Sequence, residues 1–215
     1  METAVLLVCA LAVIWVTWRL CSKRTLLPCP AKFDWLVEIE NPLARATRSE
    51  RVVQQLALRP GTRVMDIGCG PGRVTIPLAR AAGSEGEVIA LDVQSEMLAK
   101  VAEKAKRERV TNVRLVQSEV RRETIQDGFI DGAVMVMVLG EIPEEACVFS
   151  VVFSALKPGG RLVVAESVFD PHFVRRRSVR EKAEAAGFAE RGSAGNIFGY
   201  SLLFEKPERV QPPKD

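Results

Sequence analysis

The chain has 215 residues, enough for one full α/β domain with its own core and too few for two such domains with linkers. With 47% hydrophobic and 27% charged residues it is ordinary for a globular protein, which excludes a disordered chain. The formal charge of +3 is too small to argue for nucleic acid by itself. Five cysteines without a C-x-x-C pair, together with a single histidine, speak against a metal site and for reduced thiols.

Thr3 to Trp18 carries no charge and is followed at once by Arg19, Lys23 and Arg24. This composition predicts an N-terminal apolar membrane helix over residues 1–24, with Trp15 and Trp18 suited to the interface. The run is at the short end for a bilayer core, so spanning and shallow insertion both fit. Glu2 in place of a basic residue, and no small-residue cleavage site before the basic cluster, favour an anchor over a cleaved leader. The basic flank places the chain beyond Arg24 on the cytoplasmic side.

Residues 25–58 read as a linker and a cap helix, the helix from about Ala44 to Leu58 and ended by Arg59-Pro60-Gly61. Short apolar runs then alternate with amphipathic stretches. Strands are predicted at 63–67, 87–92, 113–117, 130–138 and 161–168, and helices at 72–82, 95–109, 143–156 and 173–186. Segments 188–190 and 197–206 add two candidate strands joined by a Gly-rich link. Such alternation predicts a doubly wound, mostly parallel seven-stranded sheet with helices on both faces over residues 59–206, and a flexible tail at 207–215.

The sequence VMDIGCGPGR at 64–73 sets an apolar strand, Asp66, and Gly68, Gly70 and Gly72 ahead of a helix. Glycines there let backbone approach a nucleotide-like ligand where a side chain would collide. Arg73 occupies the third glycine position of the dinucleotide fingerprint, which counts against NAD. About twenty residues on, GEVIALD ends the next strand with Asp92.

D-I-G-C-G-P-G resembles motif I of class I, Rossmann-like, S-adenosylmethionine-dependent methyltransferases. GEVIALD at 86–92, GFIDGAVMVMVLGEIP at 128–143 and LKPGGRLVVAE at 156–166 resemble later elements of that family, in the same order. The resemblance implies S-adenosylmethionine as cofactor, held by Asp66, Gly68, Gly70 and Gly72. It further implies that Asp92 receives the ribose hydroxyls, that Val93 and Met97 pack on adenine, and that Glu119 accepts from the adenine amino group. The chain looks nearest to the small-molecule, lipid and quinone group.

Methyl transfer from a sulfonium needs alignment above all, and for some acceptors a base. Glu141 in VLGEIP and His172 in FDPHFVRRR are the candidate catalytic residues. Without an N/D-P-P-Y/F motif, amino methylation of DNA adenine or glutamine is disfavoured. Cys147, placed in a predicted helix, does not suit a pyrimidine C5 nucleophile. Arg175, Arg176, Arg177, Arg180 and Lys182 form a basic run open to anionic headgroups, an acidic substrate or plain solvent. RNA recognition lacks interleaved aromatics. The expected partners are a small-molecule or lipid-like methyl acceptor and a membrane. A nucleotide-dependent reductase and a non-catalytic scaffold remain as alternatives.

Overall fold

The computed structural model describes residues 38–208. The predicted membrane segment and most of the tail lie outside them. No helix of the described residues is long and apolar enough to cross a membrane.

Seven strands form one sheet: β1 (Arg63–Ile67), β2 (Glu87–Asp92), β3 (Val113–Gln117), β4 (Ile130–Val136), β5 (Leu156–Ser167), β6 (Ala189–Gly195) and β7 (Gly199–Glu205). Their order is β3-β2-β1-β4-β5-β7-β6. The first five pair in parallel, and β7 runs antiparallel between β5 and β6. The order reverses between β1 and β4, so the crevice beyond their carboxyl ends is the natural ligand site of such a sheet.

Strand periodicity sorts the core into two layers. Val64, Val88, Val134 and Val163 face α1 (Ser49–Leu56) and α2 (Thr75–Ala82) through Val52, Leu56 and Leu78. On the same face, Leu98 and Val101 of α3 (Ser95–Arg107) cover Ala90 and Cys69. Met65, Ile89, Met135 and Leu162 face the other way. They meet Phe149 and Val152 of α4 (Glu145–Ala155) and Val179 and Ala183 of α5 (Arg176–Ala185). Burying one such Leu or Phe stabilises the fold by about 1.5–3 kcal/mol. Helices thus cover both faces of a mostly parallel sheet, as the alternation implies.

The cap differs from the single helix expected over 44–58. Arg48 is extended, with φ −65° and ψ 139°, and divides a 3-10 turn at Arg45–Thr47 from α1. α1 closes at Ala57, whose left-handed φ of 48° precedes Pro60 by three residues. The Gly-rich link also differs from expectation, because Gly192 and Gly195 belong to β6, which carries a bulge between Glu190 and Gly192.

Candidate active site

A cleft of about 840 Å³ opens at the carboxyl ends of the parallel strands, beside the β1–β4 switch. Its floor is the turn that leaves β1. The amides of Gly68 and Cys69 both donate to the Leu91 carbonyl, at 2.8 and 3.0 Å, and so draw the turn onto the end of β2. Gly70 N–H then donates to Asp92 Oδ2 at 2.9 Å, while Gln94 N–H donates to Asp92 Oδ1 at 2.9 Å. Gly68 has φ +65°, and a Cβ there would lie 2.1 Å from Val138 Cγ2. Only a side-chain-free residue fits between the turn and the end of β4.

The structure brings Gly68, Gly70, Asp92, Val93, Met97, Glu119 and Glu141 together on the cleft wall. Met97 is buried and Val93 half-exposed, giving apolar surface beside the carboxylate of Asp92. The Glu119 carboxylate is engaged by Arg121, whose Nε and Nη2 donate to it at 3.1 and 2.6 Å. Its reach toward a ligand therefore requires release from that partner.

Three expected site residues stand back from the wall. Gly72 packs against α3, where a Cβ would come within 3.2 Å of Val101 Cγ2. Asp66 is 2% exposed and accepts from the Thr75 hydroxyl at 2.7 Å. Burial pushes its carboxyl up to about 6 against the lowering effect of Thr75 and Arg73. His172 is buried behind Glu141, with Nδ1 3.5 Å from Glu141 Oε1 and 3.8 Å from Asp170 Oδ1. The loop after β5 holds it there through the His172 amide, which donates to Asp170 Oδ1 at 2.7 Å. Glu141 and His172, named separately from the sequence, form one pair of which only Glu141 reaches the cleft.

Further residues shape the site without having drawn attention in the sequence. Arg73, read there only as an obstacle to NAD, has a side chain only 8% exposed and donates to Thr47 O at 3.0 Å and to Glu40 at 3.3 Å. It ties the strap 38–47 to the glycine turn. Burial would raise Glu40, but the bonds from Ser49 and Arg73 hold its carboxyl below the usual range. Gly140 admits the post-β5 loop, since a Cβ there would lie 1.9 Å from the His172 carbonyl oxygen. Glu166, an acid within the apolar run LVVAESVF, is 1% exposed and accepts from the Val174 amide at 3.3 Å and from Leu139 N–H. Burial and nearby Asp170 drive its carboxyl well above the usual range. An acid interrupting an apolar strand was the signal that would have found it. Burial, with Asp66 and Asp92 nearby, likewise raises the Cys69 thiol. Among the described residues no group of His, Cys, Asp and Glu is placed to hold a metal ion.

A family model described as a methyltransferase domain matches residues 58–200. The chain belongs to that family. The recognition of a methyltransferase drawn from D-I-G-C-G-P-G holds. The chain is 30% identical over 137 residues to the ubiquinone/menaquinone biosynthesis C-methyltransferase UbiE of Marinomonas sp. (strain MWYL1), a match covering 63% of this chain and 55% of that one. It is also 30% identical over 136 residues to the demethylmenaquinone methyltransferase of Staphylococcus aureus (strain JH9), covering 63% and 56%. It thus spans about half the length of the curated relatives it matches. The structure of a SAM-dependent methyltransferase from Aquifex aeolicus superposes with a TM-score of 0.72 at 21% identity, over 83% of this chain and 99% of that one, and confirms the fold.

The residues present fit the cofactor. An ionised carboxylate has about four acceptor positions. Asp92 uses two of them on backbone amides and lines the cleft with the rest. Gly68 and Gly70 present side-chain-free backbone to the cleft beside it.

Proposed function

We propose that this protein transfers a methyl group from S-adenosylmethionine to a small-molecule or lipid-like acceptor at a membrane surface. The observation that carries this reading is the closure of the glycine turn onto Asp92 at the switch point of the sheet. When bound, the cofactor supplies an electrophilic methyl group on a good leaving group, so positioning can account for most of the rate.

In this reading Gly68 and Gly70 hold the amino-acid portion, Asp92 the sugar hydroxyls, and Val93 and Met97 the base. Glu119 turns to the adenine amino group once Arg121 releases it. Asp66 supports the turn through Thr75 rather than from the cleft wall. Glu141 meets the acceptor, and His172 behind it relays or stores the proton that an acidic hydroxyl or carbon acid gives up.

The acceptor class is suggested by the relatives, whose names specify quinone precursors. The membrane part is suggested by the uncharged run Thr3–Trp18 and the basic residues after it, which by the positive-inside rule set the domain on the cytoplasmic side. Family membership displaces the reductase alternative. Calorimetry with S-adenosylmethionine and with NADPH, followed by assay of S-adenosylhomocysteine over a panel of quinone and lipid acceptors, tests the whole. Binding of the first nucleotide alone and product with an apolar acceptor are expected. Binding without product from any acceptor leaves a scaffold, and the proposal fails.

A further inference from the structure

Large apolar side chains are seldom exposed in groups on a soluble surface, and a contiguous set marks a contact. Among the described residues, Leu43 (49% exposed), Phe169 (43%) and Ile197 (81%) converge on one place, the turn between β6 and β7. Asn196 Nδ2 donates to the Leu43 carbonyl at 2.8 Å, which joins the strap to this turn. Phe169 stacks on Phe198 with ring centroids 5.9 Å apart, which joins it to the loop after β5. Beside them lies an open groove of about 590 Å³ walled by Phe173, Ile197 and Phe198 together with Arg175 and Arg176.

The basic residues at this edge are only partly balanced by acids. Arg177 is paired with Glu181 and Arg180 with Glu190, but neither Arg175 nor Arg176 forms an ion pair among the described residues. Arg176 lies over the Tyr200 ring, 5.1 Å from its centroid. Three successive arginines lead into α5, with no acid in its first turn, where the helix dipole favours anions. Glu181 offsets Arg177 and the Tyr200 ring takes Arg176, which leaves Arg175 at the helix start with no ion pair among the described residues.

We infer that this edge, formed by Leu43, Phe169 and Ile197 with Arg175 and Arg176, is the surface on which the domain rests against an anionic phospholipid bilayer. The inference rests on the membrane part of the proposed function and adds to it the orientation of the domain. Apolar tips enter the boundary between headgroups and acyl chains while arginines meet lipid phosphates. The placement has a consequence for the reaction. Gly199 pairs with Ser167 at the carboxyl end of β5, so the edge lies at the same end of the sheet as the cleft. The loop holding Phe169 and Arg175 also holds His172 against Glu141. A lipid-like acceptor then leaves the bilayer at the end of the sheet where the cleft opens.

The test is hydrogen–deuterium exchange on the full chain with vesicles of phosphatidylcholine alone, or of phosphatidylcholine mixed with phosphatidylserine. Co-sedimentation is followed in parallel. Amides of residues 169–173 and 195–198 are expected to gain protection on the mixed vesicles only. Arg175→Ala should reduce that protection about fivefold, the attraction of one arginine to an anionic surface. Ile197→Asp, at an exposed position that does not threaten folding, should abolish it while co-sedimentation persists. Co-sedimentation without protection at these residues overturns the inference and leaves the membrane reading standing. Protection that is equal on the two vesicle types, or unchanged in Ile197→Asp, overturns it as well. Failure to co-sediment at all removes the membrane reading and the inference together. Protection given by a soluble protein partner or by free phosphate, in place of vesicles, assigns the edge to another occupant and refutes it.

Discussion

Replacing Asp66 by asparagine separates the cost of a buried charge from the shape of the residue that carries it. The carboxyl sits at the end of β1, 2% exposed, and accepts the Thr75 hydroxyl at 2.7 Å. Its titration is raised from 3.8 to about 6, mainly by burial. The native state therefore holds the proton at pH values where the unfolded chain has released it. Because the folded form binds more protons across that window, stability falls as pH rises from about 4 to about 6, and the full loss persists above it. A difference of about two pH units corresponds to about 3 kcal/mol. Asparagine keeps the shape, and its carbonyl oxygen still accepts the Thr75 hydroxyl. Asp66→Asn should thus equal the wild type near pH 4 and exceed it by up to about 3 kcal/mol near pH 8. Urea denaturation of both proteins across this range measures the difference directly, since the other carboxylates titrate alike in each. Curves that stay parallel, with no gain for the variant at high pH, would show that Asp66 is not desolvated in solution and refute the reasoning.

Gly68→Ala should weaken S-adenosylmethionine binding by more than about tenfold, given the 2.1 Å approach to Val138 Cγ2 and the positive φ, and Val138→Ala in the same chain should recover part of it by calorimetry. Asp92→Ala removes the acceptor of the Gly70 and Gln94 amides, so cofactor binding should fall below detection while the far-ultraviolet circular dichroism is retained. His172→Ala should lower kcat by about a hundredfold with cofactor affinity unchanged, as expected for loss of proton-transfer assistance. Equal loss in kcat and in cofactor affinity would instead make His172 a packing residue for the Glu141 turn.

The strands nearest the site could be read from the chain because their signals are local. Arg63–Ile67, Glu87–Asp92 and Val113–Gln117 have the bounds that their β-branched runs suggest, each closed by a glycine or a polar residue. Where tertiary pairing decides, the reading slips. The apolar run through Met137 and Val138 predicts two more residues of β4, yet Met137 turns left-handed at φ 54° and ends the strand at Val136. β5 begins at Leu156 rather than at 161 because Leu156 pairs with Ile130 before the Pro-Gly-Gly irregularity. The site divides in the same way. The glycine turn and Asp92 are parts of contiguous motifs. The Arg73–Glu40 contact spans 33 residues, and the Glu141–His172 pair joins two separate loops, so neither has a signature in spacing. Glu119 was legible as a cleft residue, but its engagement by Arg121 depends on side-chain orientation.

The side of the cleft that carries Glu141 is built around a buried acid. The turn after β4 and the loop after β5 meet at Gly140, where the His172 carbonyl fills the space of a side chain. Beneath both, Glu166 accepts amides from Leu139 in one and Val174 in the other. From the opposite side the Tyr200 hydroxyl donates to the Val174 carbonyl at 2.7 Å. An apolar residue at 166 would avoid the desolvation that raises this carboxyl but would leave the Leu139 and Val174 amides without their acceptor. What Glu166 adds is a fixed distance between two loops that carry Glu141 and His172. Methyl transfer depends on alignment within a fraction of an ångström, and in the proposed function two loops pinned at three points would hold Glu141 and His172 to that tolerance.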